Sequence, residues 1–253
     1  MNITHLDQTS PDAKSKIFSE QSSIKLTLVN SFRFLVNMHY AFEDRENLYL
    51  VIDMMSGGDL RYHIGRHRRF SEKQTKFFIA CMLLCLEYLH KNAILHRDIK
   101  PENLVFDENG YLRVTDLGIA RLWQPENSKD TSGTPGYMAP EVMCRQNHGV
   151  AVDYFAMGVI AYECMFGKRP YQGKDRKEIR DHILSKQEKI HTQDIPHNWS
   201  LEAADFINKL IQRKPINRLG KDGPHMLKQH DWFKGFDWEA LKQKKMKAPF
   251  MPP

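Results

Sequence analysis

The stretch His96-Arg97-Asp98-Ile99-Lys100-Pro101-Glu102-Asn103 constrains this chain more than any other. It places carboxylates, a lysine and an amide within eight residues, directly after the apolar run Ala93-Ile94-Leu95. Asp116-Leu117-Gly118 begins thirteen residues beyond Asn103, and Ala139-Pro140-Glu141 follows further on. One such triplet arises readily by chance. The ordered set is a strong signal, and the rest of the chain must fold so as to present it.

The flanks predict how. Ser71-Glu72-Lys73-Gln74 is a capping box, and Phe77, Phe78, Cys81, Leu84, Cys85, Tyr88 and Leu89 follow at helical spacing to near Asn92. Leu104 to Asp107 and Tyr111 to Thr115 read as short strands around Glu108-Asn109-Gly110. The polar stretch is therefore a loop between a long helix and a small hairpin, where chemistry is usually carried. Before it, Phe34 to Phe42 and Asn47 to Met54 form an expected antiparallel hairpin, Ser56-Gly57-Gly58-Asp59 breaks the strand pattern, and the chain turns helical from Leu60. After it, residues 119–138 read as a long exposed segment and Asp153 to Phe166 as a helix buried all round. Asp175 to Gln187 and Ser200 to Arg213 read as amphipathic helices, with Leu201, Ala204, Ile207 and Ile211 on the inner face of the second. Residues 1–30 are the least informative: a turn or helix start at Thr9-Ser10-Pro11-Asp12 and weak helical periodicity from Lys14 to Val29.

A chain of 253 residues with 41% hydrophobic and 27% charged residues suits a globular protein with a large core. The cysteines Cys81, Cys85, Cys144 and Cys164 match neither a disulfide framework nor a zinc site, and Cys81 and Cys85, one helical turn apart, read as buried small hydrophobes. Met1 to Gln8 has no signal-peptide pattern, and no apolar run approaches a bilayer's width. A cytoplasmic, monomeric protein without a membrane span is expected. The net charge of +6 clusters in Arg66-His67-Arg68-Arg69 and in Lys242 to Lys247. With no aromatic platform beside them, these read as a solvated helix end and a basic tail, not a nucleic-acid surface.

H-R-D-x-x-x-x-N, D-x-G and A-P-E in this order form the phosphoryl-transfer signature of protein kinases. The stretch from Phe34 to Pro249, more than four-fifths of the chain, resembles the catalytic domain of that family. Within it the chain looks like the AGC group of serine/threonine kinases, and Gly57-Gly58-Asp59-Leu60-Arg61-Tyr62-His63 points to the YANK subgroup. The resemblance implies an α+β, bilobal fold with a truncated β-rich N-lobe and a mainly α-helical C-lobe. Residues 1–33 would be a poorly defined segment, 34–55 the N-lobe remnant and hinge, 56–236 the C-lobe and 237–253 the start of a basic tail.

Phosphoryl transfer needs an oriented nucleophile and stabilised charge on the transferred group. Asp98 is assigned to accept or orient the substrate hydroxyl proton, and Lys100 to reach the γ-phosphate of ATP. Asn103 and Asp116 supply a neutral and a charged oxygen that suit Mg²⁺. The resemblance further implies Ile52 as gatekeeper, the backbones of Asp53 and Met55 on adenine and Val105 as pocket floor. It implies Thr134 bonded to Asp98 and Lys100, Asp153 bracing the loop's backbone amides, and a buried pair between Glu141 and Arg218. Serine and threonine hydroxyls of proteins are the implied acceptors. Asp59, Glu102 and Glu163 match positions that read basic residues upstream of the acceptor, so a basophilic specificity is expected; three solvated surface acids is the alternative.

Departures carry their own expectations. Leu117 stands where phenylalanine is usual and can fill the same apolar slot. Arg97 is the type of residue whose charge a phosphorylated side chain normally compensates; Asp130, with Thr131 beside it, occupies that position and would supply a single fixed charge. No G-x-G-x-x-G and no V-A-I-K strand precedes Phe34, Lys14 and Lys16 lack a strand context, and ungapped counting puts Ser23, not Glu20, where a partner glutamate would fall. The chain is expected to be a kinase cut at both ends, with weak ATP binding. A kinase-like scaffold is the competing expectation, and retention of Asp98, Lys100, Asn103 and Asp116 argues against it. A nucleic-acid-binding role is a distant third.

Overall fold

The polar turn between the two apolar runs closes an antiparallel hairpin, β2 (Met38–Glu43) on β3 (Asn47–Ile52). Asp44 fixes its register: one carboxylate oxygen accepts the N–H of Glu46 at 2.8 Å and of Asn47 at 2.7 Å. A third strand, β1 (Asn2–Asp7), pairs antiparallel with the other edge of β3, giving the order β1-β3-β2. The computed structural model describes residues 2–7 by their backbone and residues 31–253. The turn expected at Thr9–Asp12, the helix expected over Lys14–Val29, and Lys16, Glu20 and Ser23 lie outside the described residues.

The hairpin begins later than its apolar run suggests. Phe34 and Leu35 are buried in the main core rather than in a strand. Their backbone is held by Val114, which accepts from Val36 at 2.9 Å and donates to Phe34 at 2.9 Å. Burial against the helical body outweighs β propensity there.

That body starts at α1 (Leu60–His67), capped by Asp59, and continues in α2 (Glu72–Lys91). The capping box of α2 is present in full: Ser71 Oγ accepts from Gln74 N at 3.3 Å, and Gln74 Oε1 accepts from Ser71 N at 2.9 Å. Four short strands follow: β4 (Ile94–Leu95), β5 (Leu104–Phe106), β6 (Leu112–Val114) and β7 (Arg121–Leu122). β5 and β6 pair as a hairpin, while β4 pairs with β7, so the exposed segment after Asp116 is anchored near its start.

α3 (Pro140–Met143) and α4 (Ala151–Phe166) come next, and α4 is buried on almost every side. α5 (Arg176–Ser185) packs against α3, and α6 (Leu201–Leu210) packs against α4. Gly158 lets α4 and α6 approach so closely that a Cβ there would lie 2.5 Å from the Leu210 Cβ. The inner face of α6 is Ala203, Ala204, Phe206, Ile207 and Leu210. Leu201 does not belong to it; at the helix's first position it is 59% exposed.

The last elements are α7 (His225–Lys228) and α8 (Trp238–Lys242). The terminal stretch is basic in composition but is not simply solvated. Leu241, Ala248 and Phe250 are buried, and the Phe250 ring sits 5.0 to 5.9 Å from His63, His67, Phe70, Phe78 and Phe106. Lys244 Nζ lies 2.6 Å from Asp107 Oδ2, while Lys242, Lys245 and Lys247 stay exposed. Cys81, Cys85 and Cys164 are buried and Cys144 exposed, all as free thiols. Among the described residues no helix is long and apolar enough to cross a membrane.

Candidate active site

The loop leaves β4 at Leu95 and enters β5 through a 3₁₀ turn at Pro101–Asn103. Its entry is fixed from below by Asp153, in the first turn of α4. One Asp153 oxygen accepts from His96 N at 3.0 Å and His90 Nε2 at 2.8 Å; the other accepts from Arg97 N at 2.8 Å. Burial works against this charge, yet the His90 contact and the loop amides hold the carboxyl below its usual range. A buried carboxylate is tolerated because each oxygen is partnered. Arg97 takes a positive φ of 68° as the chain turns.

Asp98 follows with both oxygens engaged. Oδ1 accepts from Thr134 Oγ1 at 2.7 Å and Thr134 N at 3.1 Å. Oδ2 accepts from Lys100 Nζ at 2.6 Å and Asn103 Nδ2 at 3.3 Å. Lys100 Nζ also donates to Thr134 Oγ1 at 3.1 Å. Partial burial pushes the Asp98 carboxyl up, but the bonds from Lys100 and Thr134 outweigh it and hold the group ionised below the ordinary carboxylate range. Sequence elements thirty-six positions apart thus meet on one side chain.

Asn103 spends its amide N–H groups on the Asp98 carbonyl at 2.9 Å and on that carboxylate, which leaves its amide oxygen as an acceptor. Thr115 N donates to the Asn103 carbonyl at 2.9 Å, which places Asp116 next to Asn103. Asp116 is exposed, has φ 62°, and uses Oδ1 to accept from Gly118 N at 3.0 Å. One carboxylate and one amide oxygen, both hard donors, fit a Mg²⁺ ion that retains several of its waters. Leu117 is half-buried against the core.

His96 was not singled out by spacing, although it opens the motif. Its ring is buried, with Nε2 3.2 Å from the Thr115 carbonyl and Nδ1 3.3 Å from Asp98 N. A carbonyl at Nε2 and an amide N–H at Nδ1 are satisfied together by one neutral tautomer. Burial is the main reason its pKa is lowered, against a partial offset from Asp153.

The other anticipated residues lie as follows. Ile52 ends β3, and Asp53 turns its side chain inward: Oδ2 accepts from Asn37 N at 3.0 Å and Arg113 Nη1 at 2.8 Å. The Asp53 N–H donates to Asn37 O at 2.9 Å, so only its carbonyl is left for a ligand. Met55 is half-buried, and Val105 bridges Asp59 so that β5 lies under the linker. Arg97 pairs with Asp130, which also lies 3.6 Å from Arg121 Nη1. Thr131 is half-buried, its carbonyl accepting from Arg176 at 3.1 Å. Glu141 meets Arg218 through two bonds, 2.7 and 3.0 Å, wholly inside the protein.

The three acids do not form an open cluster. Asp59 caps α1, accepting from Tyr62 N at 2.8 Å. Glu102 and Glu163 both bond Arg61, at 2.9 Å each. The composition of the Gly57–His63 stretch held no sign of this, because the acidic partners of Arg61 come from two remote segments.

A family model described as protein kinase domain matches residues 3–233. A probable serine/threonine-protein kinase of Dictyostelium discoideum is 39% identical over 88% of this chain and 48% of its own length. The Caenorhabditis elegans serine/threonine-protein kinase sgk-1 is 37% identical over 89% of this chain and 49% of its own. Mus musculus ribosomal protein S6 kinase alpha-2 is 39% identical over 87% of this chain and 30% of its own. The chain spans about half the length of the first of these curated relatives.

Proposed function

The chain belongs to the protein kinase domain family, and we propose that it transfers the γ-phosphate of ATP to serine and threonine hydroxyls of proteins. The observation that carries this is Asp98, an ionised carboxylate fixed by Lys100, Thr134 and Asn103 at the mouth of a hard-oxygen pair. When bound, Mg²⁺ neutralises phosphate charge; Asn103 and Asp116 are the residues that would hold it. Asp98 orients the acceptor hydroxyl and takes its proton. Lys100 brings a cation to the transferred group. Thr134 keeps the two aligned. ATP's adenine would lie against the linker, on the backbones of Asp53 and Met55, beside Ile52 and over Val105.

Finer readings belong to the same proposal. Asp59, Glu102 and Glu163 are the acids that would read a basic residue upstream of the acceptor, and two of them, Glu102 and Glu163, bond Arg61 within the chain. Asp130 stands in for a phosphorylated residue opposite Arg97, Glu141 and Arg218 anchor the segment between them, and Asp153 braces the loop. A cytoplasmic monomer of YANK-like type, without a nucleic-acid partner, is the remaining reading. A kinase-like scaffold is the second reading, and the retained set Asp98, Lys100, Asn103 and Asp116 argues against it.

The test is transfer of labelled phosphate to a serine/threonine peptide library, comparing the chain with Asp98→Asn. Loss of about a hundredfold or more at an unchanged thermal midpoint supports catalysis. Equal signals from the two proteins support the scaffold.

A further inference from the structure

Arg61 is the second residue of α1, yet its side chain leaves the helix to join three other segments. Nε donates to Glu102 Oε1 at 2.9 Å. Nη1 donates to Glu163 Oε1 at 2.9 Å, and Nη2 reaches Glu163 Oε2 at 3.3 Å and the Tyr137 hydroxyl. Tyr137 in turn donates to Glu163 Oε2 at 2.6 Å. Every oxygen of the buried Glu163 is therefore occupied from within the chain, while the exposed Glu102 has one oxygen committed.

The cluster borders the candidate site on two sides. Glu102 lies in the loop between Lys100 and Asn103, and Tyr137 lies three residues beyond Thr134, which bonds Asp98. Two members of the cluster thus sit within a few residues of the groups that bond Asp98. Partial burial disfavours the Arg61 charge, but the bonds to Glu163 outweigh that and hold the guanidinium firmly protonated.

We propose that Arg61 is a specificity-determining residue: its guanidinium fills the acidic subsite between Glu102 and Glu163 and blunts selection for a substrate arginine. The inference deepens the phosphotransfer reading above. A peptide arginine then meets only Asp59 and the second oxygen of Glu102. Removing the guanidinium would leave a half-buried carboxylate pair whose spacing already fits a planar, forked cation, and arginine fits it better than lysine.

The experiment measures binding of fluorescein-labelled serine peptides by anisotropy, in the presence of a non-hydrolysable ATP analogue and Mg²⁺. Peptides carry arginine or leucine at one upstream position at a time. The unaltered chain is expected to favour the best arginine peptide by less than about threefold. Arg61→Leu is expected to favour it by about tenfold or more, and Arg61→Lys to fall between. A tenfold preference already present in the unaltered chain overturns the proposal. So does an Arg61→Leu protein that gains none or binds no peptide. If Arg61→Leu fails to fold, the unaltered chain's preference and that of Arg61→Lys decide by the same thresholds. Failure of the kinase reading shows separately, as absence of phosphate transfer to any peptide by the unaltered chain.

Discussion

Arg97 and Asp130 form an ion pair that joins the loop carrying Asp98 to the segment carrying Thr134. Arg97 is almost fully buried, and apart from this pair its guanidinium donates to the Ile119 carbonyl. Burial lowers its pKa, and Asp130 is the main charge that counters the effect.

Asp130→Ala should therefore leave a buried cation without its carboxylate and cost about 3 kcal/mol of stability, read as a lower urea midpoint. Phosphate transfer should fall with it. Treating the unaltered chain with phosphatase should leave transfer unchanged. Complete loss on that treatment would show that a phosphate, not Asp130, supplies the charge.

His96 predicts a pH dependence. Its folded pKa lies below the ordinary value near 6.5, so the unfolded chain takes up the proton first as pH falls. Stability is full above about pH 6.5 and declines below it by up to about 1.4 kcal/mol per pH unit, until the folded ring titrates too. His230, also lowered chiefly by burial, acts in the same direction. Urea midpoints that stay level from about pH 7.5 to 5.5 would contradict this.

Much of this site was legible in the sequence, for a physical reason. Asp98, Lys100 and Asn103 lie within one motif of fixed spacing, and the structure brings them within hydrogen-bond distance; Thr134, 36 positions beyond Asp98, was implied only by the family resemblance and bonds the same carboxylate. The capping box at Ser71 and the buried α4 were equally legible, since both are local patterns. What escaped depends on remote partners. Arg61 is an ordinary helix residue until Glu102 and Glu163 are folded beside it. The pairing of β1 with β3 and the burial of Phe250 are likewise set by contacts across the chain, not by neighbours in it.

Arg218→Leu should remove one partner of a pair that has no access to water. The stranded Glu141 carboxylate makes the expected cost about 3–5 kcal/mol. Adding Glu141→Leu should recover part of that loss, because no buried charge is then left alone. Denaturant unfolding of both variants gives the comparison, and a double variant less stable than the single one would refute it.

Phe250→Ala should cost about 3 kcal/mol or more, as expected for a core aromatic and not for a solvated tail. The ring closes a cluster with Phe70, Phe78 and Phe106. A change in urea midpoint no larger than that of a surface substitution, within about 0.5 kcal/mol, would place the ring outside the core.

Gly57 marks where the upper strands hand over to the helices, and its missing side chain is already spoken for. A Cβ there would fall 2.6 Å from Pro252 and 2.7 Å from Phe106, while its N–H donates to the Phe106 carbonyl at 3.0 Å. The crossing point is thus clamped from both sides like an axle in its bearing. A side chain at residue 57 would have to displace Pro252 or the Phe106 backbone, so the chain can follow this path from β3 to α1 only with a glycine here, and the tail residue Pro252 takes part in setting that requirement.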